Sequence, residues 1–389
     1  MNAPARATNS AGVESRVSPL ELFFDLVFVF GFTQVTGSLG DDPSWTDLGH
    51  AVLVFTVLWW AWGAYAWLTN AVRTGEMAPR LVVLGATAAM LLTALAVPSA
   101  FGDGGVAFAL GYLVVMVLHS TLFALAGENP ETTRRAIGRL APSNLLAAAL
   151  LLAGGFTDGT AQTALWLAAV LVSYAGPYVT GVAGFTVEPG HFVERHGLIV
   201  LIALGESVVA IGAGSDELTI DWPLAGTALL AITLLGGLWW AYFDVDAGAG
   251  EQALVAATGP ERARLARDVY SYLHIPLVFG IVLAAVGLHD ALVHPGDELE
   301  TVPGVALGAG VALFFGGLAA IRARRSAPLG PACLGAALAG ILIGFAADEW
   351  AAAASLAFLS AAAVVMAIVE RRAGGRSPAE RRAGGRNPA

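Results

Sequence analysis

The sequence predicts an all-α, polytopic membrane protein with about twelve transmembrane helices. Three observations predict this fold class. The chain is 57% hydrophobic and only 13% charged, whereas soluble domains average about 25% charged residues. Apolar runs long enough to cross a bilayer recur along the whole chain. Arginines and acidic residues separate to opposite ends of these runs, as the positive-inside rule requires. We therefore expect a multi-pass protein of the cytoplasmic membrane.

Apolar runs of roughly 17–25 residues are typical of membrane-spanning helices. In chain order, such runs lie at 20–38, 48–70, 80–99, 105–125, 140–156, 161–183, 194–214, 222–243, 269–289, 302–321, 329–347 and 350–369. The fifth run is short, and the last two are separated by little more than 347–349. In the long segment after the eighth run, residues 251–268 could form an interfacial helix.

Charge supports this count. All 20 basic residues are arginines. If the N-terminus is cytoplasmic and the helices alternate in direction, every arginine lies on the cytoplasmic side, and the outside loops carry acids without arginine. Both termini are then cytoplasmic. The net charge of −10 reflects these acidic outside loops and does not indicate a basic partner, and no nucleic-acid-binding patch is present.

The chain divides into four parts. Residues 1–18 are polar, and residues 371–389 are basic and rich in Gly and Pro, so we expect both to be disordered in the cytoplasm. Residues 19–186 and 187–370 would form two halves of six helices each. Because the number of helices per half is even, the halves would be parallel, related by an axis along the membrane normal.

Weak internal similarity supports a six-plus-six repeat. Glu21 and Glu194 each begin a helix, at an offset of 173 residues. The tryptophan pair at 59–60 recurs at 239–240, at an offset of 180 residues. Because the two offsets differ, the duplication is a hypothesis.

Polar residues within the apolar spans are the candidate functional residues, because a charge in hydrocarbon costs several kcal/mol unless it has a partner. Asp25 lies one turn after Glu21 on the same helix face. Glu206 lies 12 residues after Glu194, about 18 Å further along the helix. The candidate substrate or ion pathway consists of Glu21, Asp25, Gln34, Glu194, Arg195, His196, Glu206, Ser207, Asp244 and His274.

Aromatic residues near these positions are candidate lining groups: Trp59, Trp60, Trp239, Trp240 and Tyr270. The alternative is that they form belts at the membrane interface. The acidic residues also have structural alternatives. Glu206 could be a structural group bonded to neighbouring helices. Glu194 and Arg195 could form an interfacial ion pair, or pair with Glu21 or Asp25 across the two halves. The sequence contains no Gly-rich phosphate loop, HExxH or CxxC motif, so we predict no catalytic residue, metal or cofactor.

Several stretches resemble the bacterial low temperature requirement A (LtrA) family. They are LELFFDLVFVF at 20–30 with Gln34, WWAW at 59–62, ERHGL at 194–198, ALGES at 203–207, WWAYFD at 239–244 and YLHIPL at 272–277. The resemblance extends from about Ser18 to Val369. It implies an integral membrane protein whose family is named for a growth phenotype in the cold. It implies no biochemical activity.

Three functions remain open at this point. The first is a secondary transporter or ion-permeable protein with a pathway between helices 1 and 7, in which Asp25 and Glu206 handle charge. Its substrate would be protons, a cation or a small solute. The second is a non-transporting membrane-stress or lipid-interacting protein associated with growth at low temperature. The third, which is less favoured, is an intramembrane enzyme that uses His274 beside Asp25. The lipid bilayer is the expected partner, and the sequence does not indicate the oligomeric state.

Overall fold

A computed structural model describes residues 17–39, 43–72, 76–126, 130–213 and 221–374, and these residues form twelve long helices. The helices are α1 (Pro19–Gly37), α2 (Trp45–Ala71), α3 (Met77–Leu95), α4 (Gly105–Ala126), α5 (Pro130–Gly155), α6 (Gly159–Val179), α7 (Pro189–Ala213), α8 (Trp222–Ala256), α9 (Gly259–Val293), α10 (Thr301–Arg324), α11 (Pro331–Ala346) and α12 (Ala352–Gly374). The described residues contain no strand beyond one isolated bridge. The all-α prediction is confirmed, whereas the predictions for residues 1–16 and 375–389 lie outside the described residues.

The helices have the length and composition of membrane spans. Among the described residues, ten are long and apolar enough to cross a bilayer. Two helices, α6 and α7, are not in that group. Of these, α7 carries Glu194, Arg195 and Glu206 along its length. The protein is therefore an integral membrane protein with several spanning helices.

Several predicted helix boundaries were wrong. α5 begins at Pro130 rather than at 140, because its first turns carry polar residues that hydropathy does not count as part of a span. α7 begins at Pro189 rather than at 194. The interfacial helix predicted at 251–268 does not exist as a separate element, since its residues belong to the extended ends of α8 and α9.

Each of the two longest helices contains one π-helical segment, Ala241–Asp246 in α8 and Arg267–Tyr272 in α9. In α9 the amide of Leu273 donates to the carbonyl of Asp268, five residues earlier, at 3.0 Å. Pro276 follows, and it has no N–H to donate to the preceding turn. Such segments are rare and are frequent at functional sites. Both lie in the part of the bundle where the ionisable residues gather.

The order of helix neighbours recurs between the two parts of the chain. α1 packs on α3, and six helices later α7 packs on α9. The pairs α3–α4, α4–α5 and α5–α6 have their counterparts in α9–α10, α10–α11 and α11–α12. α1 and α7 also contact each other directly. This contact is where the candidate site lies.

Glycines allow α9 and α10 to cross with their backbones in contact. A Cβ atom on Gly280 would lie 2.5 Å from the carbonyl oxygen of Gly310, and a Cβ on Gly310 would lie equally close, 2.5 Å, to the carbonyl oxygen of Gly280. Small residues at such crossings are typical of helix packing in membranes, because they let the backbones approach.

The substitution Gly310→Ala is therefore expected to lower the free energy of unfolding by about 1–3 kcal/mol, because the helices must move apart. Gly316→Ala, in the same helix, is the control, since a Cβ there would meet nothing within 4 Å. The control is expected to be neutral or more stable by up to about 1 kcal/mol. Thermal unfolding of the purified proteins in one detergent measures the difference. Equal midpoints for the two variants would contradict the close crossing.

Candidate functional site

The candidate site is centred on Arg195 of α7, whose side chain is only 1% exposed. Its Nη2 donates to Oδ1 of Asp25 at 2.9 Å, and its Nη1 lies 3.5 Å from Oε1 of Glu21. Nη1 also donates to the backbone carbonyl of Tyr65, at 3.1 Å, and to the hydroxyl of Thr69 on α2. One buried guanidinium therefore ties α1, α2 and α7 together.

The start of α1 holds both acids in place. Glu21 and Asp25 are four residues apart, so they lie on one helix face, and that face is turned towards α7. Ser18 caps the helix: its hydroxyl accepts from the amide of Glu21, and Oε2 of Glu21 accepts from the amide of Ser18 at 2.8 Å. This capping box uses one carboxylate oxygen of Glu21. The other oxygen is left to face Arg195.

Asp25 is fully buried and only half satisfied. Its Oδ1 accepts from Arg195 and from Nε1 of Trp62, the latter at 2.7 Å. Its Oδ2 has no hydrogen-bond partner among the described residues, and neither has Nε of Arg195. A buried polar atom without a partner costs about 1–3 kcal/mol. Such atoms are uncommon in folded proteins, and a catalytic or ion-binding role is one of the reasons for their retention.

His191 belongs to this cluster, and the sequence analysis missed it. Its Nε2 lies 3.0 Å from Oε1 of Glu21, and its Nδ1 lies 3.2 Å from the amide nitrogen of Asn70. The amide of Asn70 is oriented by two bonds to the backbone of Glu188. Because that amide nitrogen is a donor, Nδ1 accepts, and the proton lies on Nε2, facing Glu21. His191 precedes Arg195 by one turn on the same face of α7, and that spacing could have revealed it.

A second contact between α1 and α7 involves Glu206. The hydroxyl of Thr33 donates to Oε1 of Glu206 at 2.5 Å. The side chains of Glu206 and of Gln34, the neighbour of Thr33, are both half-buried. Ser207 is buried and donates to the carbonyl of Ala203 at 3.1 Å within its own helix. Along the two helices, this contact lies about 12–17 Å from the Asp25–Arg195 contact.

His274 lies in a column of aromatic rings. Its Nε2 accepts from the hydroxyl of Tyr242 at 2.9 Å, because its Nδ1 lies 2.8 Å from the carbonyl of Val269 and must donate to it. The ring of Tyr270 stacks on His274 with centroids 4.8 Å apart. His196 lies 5.5 Å from His274, ring to ring.

His274 is separated from Asp25. The ring of Trp62 donates to Asp25 and lies 4.9 Å from the ring of His196, which in turn contacts His274. Two side chains therefore lie between His274 and Asp25. The geometry does not form the pair on which the enzyme hypothesis depends.

Other predicted residues lie apart from the cluster. Glu194 is exposed, and its carboxylate accepts from the amide of Val17 at 3.1 Å. Asp244 is exposed too, and lies 3.7 Å from Arg371. Trp239 is 45% exposed on α8, and Trp240 bonds to Asp244 at 2.9 Å, so both positions fit an interface belt. Trp59 and Trp60 are buried instead and line a cavity.

A second buried ion cluster was not predicted from the sequence. Asp246 of α8 accepts from Nη2 of Arg322 at 2.8 Å and from Nη2 of Arg325 at 2.5 Å. Arg322 also pairs with Glu370 of α12 at 3.1 Å. Two arginines and two acids balance each other here, so this cluster serves to hold α8, α10 and α12 together. Within the described residues, no three His, Cys, Asp or Glu side chains converge to hold a metal ion.

Comparison with known proteins confirms the family resemblance. The chain matches the family described as "Bacterial low temperature requirement A protein (LtrA)" over residues 16–370. It is also similar to "Uncharacterized protein RA0937" of Rhizobium meliloti (strain 1021), with 30% identity over 297 residues, which cover 72% of this chain and 71% of that protein. The family match includes both ion clusters. The chain therefore belongs to the bacterial low temperature requirement A family.

Proposed function

We propose that the protein is a secondary transporter or ion-permeable protein whose charge-handling groups are Asp25 and Glu206. The observation that carries this proposal is the buried cluster of Asp25, Glu21 and Arg195. With both carboxylates ionised and His191 neutral, the cluster holds two negative charges and one positive charge. The second acid beside one arginine adds a desolvation cost that a one-to-one structural ion pair would avoid.

A proton is the transported species that this geometry favours. The unpartnered Oδ2 of Asp25 offers a place for a proton, and one proton there would bring the cluster to charge neutrality. Arg195, 2.9 Å from the other oxygen of Asp25, would repel a metal cation at the same position. Protons, alone or coupled to a small solute, therefore fit the site better than a metal cation does.

Glu206 supplies the second position along the same pair of helices. Its bond to Thr33 lies at the α1–α7 contact, about 12–17 Å along the helices from Asp25. Intramembrane carboxylates at successive depths are typical of proton relays. Small changes in the α1–α7 contact would alter the surroundings of both acids together.

The substitution Glu206→Gln is expected to reduce proton flux at least about tenfold while the protein stays folded, because the glutamine can still accept from Thr33 but cannot exchange a proton. Glu194→Gln in the same helix is the matched control and is expected to keep its flux, since that carboxylate is exposed. Flux is measured in proteoliposomes with an internal pH dye under an imposed pH gradient. Wild-type flux in Glu206→Gln, or loss of its monodisperse fold, would contradict the role of Glu206.

The second candidate is a non-transporting membrane-stress or lipid-interacting protein. The tight binding of Asp25 by Arg195 and Trp62 favours it, because a structural tie between three helices would have the same contacts. Wild-type proteoliposomes that pass neither protons nor cations faster than empty liposomes would support this candidate over the transporter.

We also propose that residues 19–186 and 187–370 are parallel six-helix halves with both termini in the cytoplasm. The recurring order of helix neighbours supports the repeat. The arginine distribution supports the orientation, since Arg134, Arg262 and Arg322 lie at helix ends that alternation places on one side of the bilayer. Single cysteines introduced at such ends in a Cys333→Ala background should react with an impermeant thiol reagent only in inverted vesicles.

A further inference from the structure

A partly open cavity with about 60 Å³ of accessible volume lies at one end of the bundle. There α2, α4 and α6 end, and α5 and α9 begin. Its wall includes six aromatic residues, among them Trp59, Trp60 and Trp67, and the buried His119. It does not include Asp25 or Glu206, so it is separate from the acids assigned to transport.

The three indole rings present carbon surface to this cavity. Nε1 of Trp59 donates to the backbone carbonyl of Ser271 at 2.9 Å, and Nε1 of Trp67 donates to the hydroxyl of the same serine, also at 2.9 Å. Nε1 of Trp60 donates to Oδ1 of Asn144 at 3.0 Å. Each N–H is therefore already used within the wall. The faces and edges of the rings remain for packing against another planar ring.

His119 is the unsatisfied polar group of the wall. Its side chain is 2% exposed, and neither ring nitrogen has a hydrogen-bond partner among the described residues apart from a contact with the backbone of Ala64. Its ring packs against Tyr65 and Phe123, with centroids 5.6 Å away in both cases. A neutral imidazole has one donor and one acceptor. Buried polar groups of this kind are normally satisfied, which points to a ligand group that can accept and donate.

The cavity offers no free charge. Arg267 is the charged residue in its wall, and its Nε donates to Asp268 at 2.8 Å. Its Nη1 donates to the carbonyl of Pro177 at 3.2 Å, and its guanidinium lies 4.1 Å from the ring centre of Tyr178. Because this charge is paired, a ligand does not need a charge of its own.

We propose that this cavity binds a small, uncharged, planar aromatic molecule that carries one hydroxyl or similar group. The ring would pack among Trp59, Trp60 and Trp67. The hydroxyl would bond to a ring nitrogen of His119. Tyr65 contacts both His119 and the Arg195 cluster: its ring lies 5.6 Å from the ring of His119, and its backbone carbonyl accepts from Arg195. The proposed binding site depends only on contacts within the cavity wall, and ligand binding can be measured without measuring proton flux.

The probe is para-fluorophenol, followed by fluorine NMR with the full-length protein in detergent. A saturable shift that empty micelles lack is expected, with competition by unlabelled phenol. His119→Phe keeps a ring at the position and removes both nitrogens. It is expected to weaken para-fluorophenol binding about tenfold, through the loss of one hydrogen bond. Binding of para-fluorotoluene, which has no hydroxyl, should be unchanged by this substitution.

A cavity-filling pair of variants locates the site. Gly63 lines the cavity, and a Cβ on it would meet nothing within 4 Å, so Gly63→Leu is expected to fill the space and abolish binding of both probes. Gly49→Leu is the control in the same helix, also with nothing within 4 Å of its Cβ and outside the cavity wall. The proposal is overturned if the shift is not saturable, or if a folded Gly63→Leu binds as wild type. If Gly63→Leu does not fold, the His119→Phe variant decides. The proposal is overturned if this substitution weakens binding of both probes equally, or weakens binding of neither.

Discussion

Arg195→Leu is expected to lower the free energy of unfolding by about 3–5 kcal/mol, which is the usual cost of removing one partner from a buried ion pair. Arg195 is the cation that faces both Glu21 and Asp25, and all three side chains are at most 3% exposed. Without it, two carboxylates remain in a region that water does not reach, and the bonds to Tyr65 and Thr69 are lost as well.

Thermal or denaturant unfolding in one detergent measures this loss. Arg135→Leu is the control, because Arg135 pairs with Glu131 one turn away and its side chain is 73% exposed. Exposed pairs of this kind contribute about 0–1 kcal/mol. Asp25→Asn combined with Arg195→Gln should recover part of the stability, since the pair becomes neutral. Equal stability of Arg195→Leu and Arg135→Leu would mean that the cluster does not hold α1, α2 and α7 together.

The second large effect is expected for Asp246→Asn, which should also cost about 3–5 kcal/mol. Asp246 accepts from Arg322 and from Arg325, and its side chain is 5% exposed. Asparagine keeps the shape but removes the charge that both guanidiniums share. Glu370 alone would then balance two arginines across α8, α10 and α12.

Asp244→Asn is the matched control for this prediction. It lies two residues earlier in the same π-helical segment, with a side chain that is 40% exposed and 3.7 Å from Arg371. This substitution should change the free energy of unfolding by no more than about 1 kcal/mol. The same unfolding measurement applies, and similar losses for the two variants would show that the buried geometry of Asp246 is not what stabilises these helices.

The helices and the shared face of the two acids on α1 could be predicted from the sequence, because both follow from the length and regular spacing of residues along a helix. Apolar length defines a span, and a separation of four residues places Glu21 and Asp25 on one face. The partner of these acids could be proposed as well, since an arginine in an apolar run needs an acid nearby. Arg195 was among the predicted candidates for that reason.

The rest of the site depends on contacts between helices, which the spacing of residues along the sequence does not predict. His191, Asn70 and Thr69 lie near helix ends, where a polar residue has no evident cost in the sequence. Asp246 is not among the predicted site residues, because the apolar run of α8 ends near 243 and Asp246 lies beyond it. Only the continuation of α8 through its π-helical segment carries Asp246 into the bundle.

The two tryptophan pairs show the same limit. Trp59–Trp60 and Trp239–Trp240 have similar sequence surroundings, which supported the repeat hypothesis. Trp59 is 1% exposed and Trp239 is 45% exposed. Burial depends on which neighbouring helices cover a face, and the local sequence does not contain that information.

The absence of lysine has a consequence for the two ion clusters. A guanidinium keeps its proton throughout the physiological pH range, so acidification can change either cluster only by neutralising acids or protonating histidine. With both acids ionised and His191 neutral, the cluster of Arg195 has one negative charge in excess, so a first proton brings it to balance. The cluster of Arg322, Arg325, Asp246 and Glu370 is already balanced, so a proton there leaves positive charge uncompensated. Neutralising one acid would therefore relieve charge at the junction between α1 and α7 and unbalance the charges at the junction of α8, α10 and α12.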